Sequence, residues 1–172
     1  MADFAEGRPW GRIALVTVPV MVLLGSASGW LSNSGFGNQW FDALAKPSFM
    51  PPGWLFGVAW TILYILLGLA LAIALAEPPS PRRKLGLTLF FIQLALNFAW
   101  SPIFFGLHQI GLAKIIIYLI AVLAAAAAGQ FLRLRRPAGL LMIPYLMWLI
   151  FAATLNATIE NLNPGATGTL LG

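Results

Sequence analysis

The sequence predicts an all-α membrane protein, a five-transmembrane-helix bundle, on three observations. Hydrophobic residues make up 60% of the 172-residue chain and charged residues 9%. A soluble domain carries about 25% charged residues, so this chain could not cover its surface with water-compatible groups. Five apolar segments, near 12–32, 53–76, 85–107, 111–132 and 139–161, each approach or exceed the roughly 20 residues that cross about 30 Å of hydrocarbon. The basic residues also alternate by side. With five spans, Arg8, Arg12, Arg82, Arg83, Lys84, Arg133, Arg135 and Arg136 fall at one membrane face, and only Lys46 and Lys114 at the other. That bias places the N-terminus in the cytoplasm and the C-terminus outside. It also accounts for the net charge of +5 as a topology signal, so no nucleic-acid partner is expected. The chain is read as one domain, 1–172.

The elements follow in order. The first span, 12–32, contains Pro19. Arg8 and Arg12, the apolar run and SAS at 26–28 also fit a cleavable leader; the preferred reading keeps the segment as a span. Loop 33–52, NSGFGNQWFDALAKPSFMPP, is rich in turn formers and long enough to act as a lid. In the second span Phe56, Trp60 and Tyr64 are four apart. In the third, Gln93, Asn97 and Ser101 share one face. HQIG (108–111) makes a tight turn into the fourth span, where AAAAA (124–128) is a small-residue packing face. In the fifth span Tyr145, Trp148, Ala152 and Asn156 recur at helical spacing. Pro19, Pro102 and Pro144 are expected to kink or interrupt their helices. The tail 163–172 has no strong pattern.

These faces meet at one depth. At 1.5 Å rise per residue, Trp60 and Trp100 lie roughly 10 Å below the outer surface, Asn97 and Tyr64 roughly 15 Å, and Gln93 and Trp148 roughly 20 Å. Ala152 and Asn156 lie above Trp148, and Ser28, Gly25 and Met21 of the first span fall in the same zone. The arrangement predicts a cavity between helices under the lid, with Trp40, Phe49 and Lys46 of loop 33–52 above it. Trp10, Trp30, Trp40 and Trp54 also sit near span ends, where tryptophans anchor at the interface. Gln93 and Asn97 equally suit hydrogen bonding between helices.

Much chemistry is missing. The five carboxylates, Asp3, Glu6, Asp42, Glu77 and Glu160, lie in loops or near span ends, which argues against an ion-coupled pump. With no cysteine and only His108 as histidine, no metal site is expected. There is no catalytic triad set or phosphate loop. What remains is indoles, a phenol and amides, suited to a flat aromatic or amphiphilic ligand.

Three stretches, KPSFMPPGWLFGVAWTILY (46–64), QLALNFAWSPIFFGLHQIGLA (93–113) and PYLMWLIFAATLN (144–156), resemble the TspO/MBR family, also called translocator proteins, peripheral-type benzodiazepine receptors or tryptophan-rich sensory proteins. The resemblance covers about 45–156 and is looser over the first span. It implies a five-helix, commonly dimeric protein with a ligand pocket under the first loop. Family ligands are porphyrins, haem and synthetic isoquinoline or benzodiazepine-type compounds, with cholesterol in animals. Some bacterial members are reported to degrade protoporphyrin in light, and others act as stress or oxygen-linked regulators. The family pocket pattern falls on Trp60, Tyr64, Asn97, Trp148 and Ala152. LNATIENLN (155–163) lacks the Tyr and basic residue of the animal cholesterol motif, and Leu112 stands where animal members tend to have Trp. Both departures resemble a bacterial-type member of the cytoplasmic membrane.

The expected function is a porphyrin-binding receptor or transporter with a possible stress or tetrapyrrole-regulatory role and no obligatory cofactor. Trp60 and Trp148 would stack the ligand, with Gln93, Asn97, Trp100, Tyr145 and Asn156 around it, and Lys46 is a candidate partner for propionates. Membrane lipid is the surrounding partner. Two rivals stand beside it. One is a light-dependent porphyrin-degrading enzyme, with Trp60 and Trp148 as electron donors. The other is a signalling or scaffold homodimer built on Ala95 and Ala99, a small-xxx-small pair.

Overall fold

Prolines set where the helices begin, and glycines set how closely they approach. In the computed structural model, which describes residues 9–166, the elements are α1 (Trp10–Leu31), α2 (Gln39–Ala43), α3 (Gly53–Ala76), α4 (Pro81–Ser101), α5 (Ile110–Leu134), α6 (Arg136–Leu140) and α7 (Ile143–Leu162). A π-helical turn over Pro102–Gly106 prolongs α4. Five spans long and apolar enough to cross a membrane result: α1, α3, α4 with its π turn, α5, and α6 with α7. No strand occurs among the described residues. The protein is a multi-pass membrane protein. Its outward faces carry Leu15, Val16, Leu23, Val122 and Ile150 in the open, side chains that lipid accommodates and water does not.

Two expected boundaries change. The third span starts at Pro81, because Ser80 caps it by accepting the Arg83 amide at 3.2 Å and proline suits a first-turn position. The fifth is not continuous from 139. The short α6 ends before α7, and Pro144 lies in the first turn of α7 instead of kinking its middle. Pro102 acts as expected, since Leu107 N–H reaches back to the Pro102 carbonyl at 2.9 Å and widens the turn. The lid, expected as loop 33–52, holds one short helix, α2, capped by Asn38 Oδ1 accepting from Phe41 N–H.

In lipid the helices are held by close packing and hydrogen bonds, with little hydrophobic drive between them. α1 lies on α3, α4 on α5, and α5 on α7. At the α1–α3 seam Gly25 receives the Tyr64 ring and Gly68 receives the backbone of Val18. A Cβ on either would come within 2.0 Å of Tyr64 Cε2 or 2.7 Å of Val18 Cα. Thr17 Oγ1 donates to the Gly68 carbonyl at 2.8 Å across the same contact. Ala124, Ala127 and Ala128 of the alanine run are buried. At the basic end Arg83 donates to the Ala74 and Leu75 carbonyls, covering the free C-terminal groups of α3. Gly68→Ala should therefore lower stability by about 1–3 kcal/mol, whereas Gly129→Ala, with open space at its Cβ, should not. Thermal unfolding in detergent checks this, and equal melting of both variants would contradict the seam.

Candidate functional site

The middle of α4 cannot leave its amides in hydrocarbon without partners, and the structure joins them in one relay. The Tyr64 hydroxyl donates to Asn97 Oδ1 at 2.9 Å. Asn97 Nδ2 donates to the Tyr145 hydroxyl at 3.1 Å. That hydroxyl donates to Gln93 Oε1 at 2.7 Å. Three spans, α3, α4 and α7, are tied by four buried side chains. Gln93 Nε2 remains unpaired at the inner end. Ser28 Oγ adds a tie from α1, donating to the Phe98 carbonyl at 2.6 Å.

Above this relay is a cavity of about 690 Å³, within the usual size of small-molecule sites. Trp60, Tyr64, Asn97, Trp100, Trp148, Ala152 and Asn156 line it, together with Gly25, Phe36, Phe41, Phe104 and Phe105. Trp60 and Trp148 stand nearly perpendicular, 81° with centroids 6.3 Å apart. Tyr64 stacks behind Trp60 at 5.4 Å, and Phe56 meets the edge of Trp148 at 5.8 Å. Trp100 is fixed by its Nε1–H, which donates to the Ala113 carbonyl at 3.1 Å, and by stacking on Phe104 at 4.9 Å. Two polar atoms of lining residues lack a partner and are themselves buried behind the cavity surface: the donor Trp148 Nε1 and the acceptor Asn156 Oδ1. The Asn156 amide nitrogen is used, donating to the Ile110 carbonyl. Among the described residues no Asp, Glu, Lys, Arg or His lines the cavity.

Five expected site residues stand elsewhere. Gln93 and Tyr145 are fully buried behind the wall and act through the relay. Trp40 does not line the cavity; it stacks on His108 at 4.3 Å, joining α2 to the turn between α4 and α5. Phe49 is 47% exposed and does not line it either. Lys46, expected as a partner for an acidic ligand, instead donates to the carbonyls of Phe41, Asp42 and Leu44 at 2.7, 3.0 and 3.1 Å and lies over the Phe36 and Phe41 rings. An ammonium has three protons to give, and here the lid uses them on itself. Ser101, on the same helix face as Gln93 and Asn97, also lines the cavity. Ala95 is exposed on α4 and Ala99 partly so.

The lid is fastened beyond what its sequence suggested. Ala45 is held from both sides by Asn163, which accepts its N–H at 2.8 Å and donates to its carbonyl at 2.9 Å. Phe41 is wedged against Phe104 and Phe105, at 6.1 and 5.1 Å. Asn163 lies in the tail that showed no pattern; residues 167–172 of that tail lie outside the described residues. A lone Asn just past a helix carries no signal for a partner more than a hundred residues away.

Comparison with known proteins agrees with this geometry. The model of the TspO/MBR family matches residues 16–162. The tryptophan-rich protein TspO of Chlorobaculum tepidum is 44% identical over 130 residues, 74% of this chain and 81% of that one. Protein CrtK of Rhodobacter capsulatus is 38% identical over 129 residues, with the same coverage of each chain. The human translocator protein is 38% identical over 136 residues, 78% of this chain and 80% of its own.

The relay makes an ordered prediction. Tyr145→Phe removes a group that both donates and accepts, leaving Gln93 Oε1 and Asn97 Nδ2 unmet, and should destabilise by about 1–3 kcal/mol. Tyr64→Phe removes one donor and should cost less. Unfolding by denaturing detergent measures the order; the reverse order would argue against Tyr145 as the centre.

Proposed function

Because the chain belongs to the TspO/MBR family, we propose that it is a membrane receptor or transporter whose cavity binds porphyrins, protoporphyrin IX and haem among them, and other flat hydrophobic molecules. The observation that carries this reading is the perpendicular pair Trp60 and Trp148 in a wall whose described residues include no charged side chain. One indole stacks on a flat ring while the other closes its edge. A porphyrin's ionised propionates find no counter-charge among the described residues of the wall and stay toward the surface.

The basic excess supports an orientation with the N-terminus in the cytoplasm and the lid outside, in a bacterial cytoplasmic membrane. The exposed Ala95 and partly exposed Ala99 support a homodimer through α4, which Ala95→Leu with Ala99→Leu should reduce to the mass of one copy after detergent correction; an unchanged mass would remove that face. A second reading is light-dependent porphyrin breakdown. It rests on the neighbours of Trp60, whose ring lies 5.4 Å from Tyr64 and 6.4 Å from Tyr145, so an indole oxidised by an excited porphyrin has phenols beside it. Product formed equally in the dark would sink that reading.

The test is a titration in the dark with protoporphyrin IX, read by tryptophan quenching against a detergent blank. Trp148→Phe and the cavity-filling Ala152→Phe should each weaken saturable binding by about ten-fold, or about 1.4 kcal/mol. Binding that ignores both, in folded protein, would place the ligand elsewhere.

A further inference from the structure

We infer that the cavity fills from the side. An amphiphile with a flat apolar body passes out of the lipid between the outer halves of α1 and α3, while α2 stays seated on the bundle. This rests on the cavity being the ligand site, as proposed above.

The lid and the flank differ in how they are closed. On the lid, Phe41 is only 3% exposed, Trp40 is stacked, Lys46 is saturated, and Asn163 grips both backbone groups of Ala45. Lifting it would break each of these and expose an aromatic plug. The flank has no such closure, and neither has the linker just before α2. Ser26, Gly29 and Trp30 of α1 and Trp54, Gly57 and Thr61 of α3 all line the cavity; Gly29 is half-buried and the other five are exposed. Asn33, Ser34 and Phe36 line it and are exposed too, so the opening runs from the flank up to this linker while α2 is shut. One side chain can face both the cavity and the surroundings only where the wall between them is open.

The size of the opening follows from the residues along it. Below it, Gly25 lets the Tyr64 ring into contact and the helices close through Thr17 and Gly68. Above, small residues face across the gap. A Cβ on Gly57 would meet nothing within 4 Å, and one on Gly29 only Ser34 Oγ at 3.9 Å. From Trp54 to Thr61 the opening runs about 10 Å along α3, at the depth of the outer leaflet. Thr61 returns its hydroxyl proton to the Gly57 carbonyl at 2.8 Å, so this edge of the opening asks little desolvation of an apolar body sliding past. An ionised group on the ligand stays at the interface, near Trp30 and Trp54.

The chain has no cysteine, which makes a clean test available. Ala45→Cys with Asn163→Cys replaces the lid clamp by a disulfide that fixes the lid when oxidised and frees it when reduced. Gly29→Leu with Gly57→Leu fills the opening. In phosphatidylcholine nanodiscs, stopped-flow quenching by protoporphyrin IX gives both rates. The oxidised lid variant should associate within about two-fold of wild type, and the filled variant should show dissociation as well as association slowed by about ten-fold or more, whereas a mere loss of cavity contacts would speed dissociation. Gly57→Leu alone serves if the double variant does not fold. Blocked binding with the lid fixed, or wild-type rates with the opening filled, would overturn the route while leaving the site in place. Absence of saturable binding to wild type would overturn the site and the route together.

Discussion

A polar group inside a bilayer must find its partner within the protein, because no water is there to supply one. The relay from Tyr64 through Asn97 and Tyr145 to Gln93 answers that requirement for the middle of the bundle. It also does more than satisfy amides. Each bond has a direction and a narrow geometry, so α3, α4 and α7 are fixed in rotation as well as distance. Trp60 and Trp148 lie one turn or less from the tyrosines of that relay, and their perpendicular setting follows from it. Packing alone would leave rotation looser, since lipid tails compete on nearly equal terms with apolar side chains.

The cavity is accordingly a place where packing stops. Its floor is the relay and its walls are aromatic. Its roof is the lid, a short helix with its flanking loop, whose charged residues are turned inward on the lid itself: Lys46 on three carbonyls, and Asp42 accepting from the Gly37 amide at 3.0 Å. An ion pair on the lid side of the bundle, Lys114 with Glu160, joins α5 to α7 and does not line the cavity. A ligand therefore meets a neutral surface shaped mainly by aromatic rings. Selectivity in such a site comes from shape and hydrogen-bond placement more than from charge.

The spans, their order and the aromatic faces were legible in the sequence, because length and 3.6-residue spacing are local signals. Residues 53–76 coincide with α3 to the residue, helped by prolines before and after it. Depth counting brought Trp60, Tyr64, Asn97, Trp148 and Asn156 to one cavity because straight helices share a common ruler. It could not separate wall from backing. Gln93 and Tyr145 are at the right depth yet face the helix–helix contact, and rotation about a helix axis is decided by neighbours the sequence does not name. The lid was least legible. Lys46 was read as a candidate partner for propionates, but it turns back on carbonyls two to five residues before it, and the reach of Asn163 to Ala45 is a tertiary event.

The π turn at Pro102–Gly106 has a consequence of its own. It inserts extra backbone between the part of α4 that carries Asn97 and the part that carries Phe104, Phe105 and the turn to His108. One residue of slip in a helix rotates everything beyond it by about 100°. Removing one residue here would restore a regular helix while swinging the Phe104–Phe105 seat away from Phe41 and carrying His108 off Trp40. The length of this turn thus acts as a phase adjuster between floor and roof. A chain of the same fold with a different count between Asn97 and His108 would need a differently shaped lid, even with every cavity residue retained.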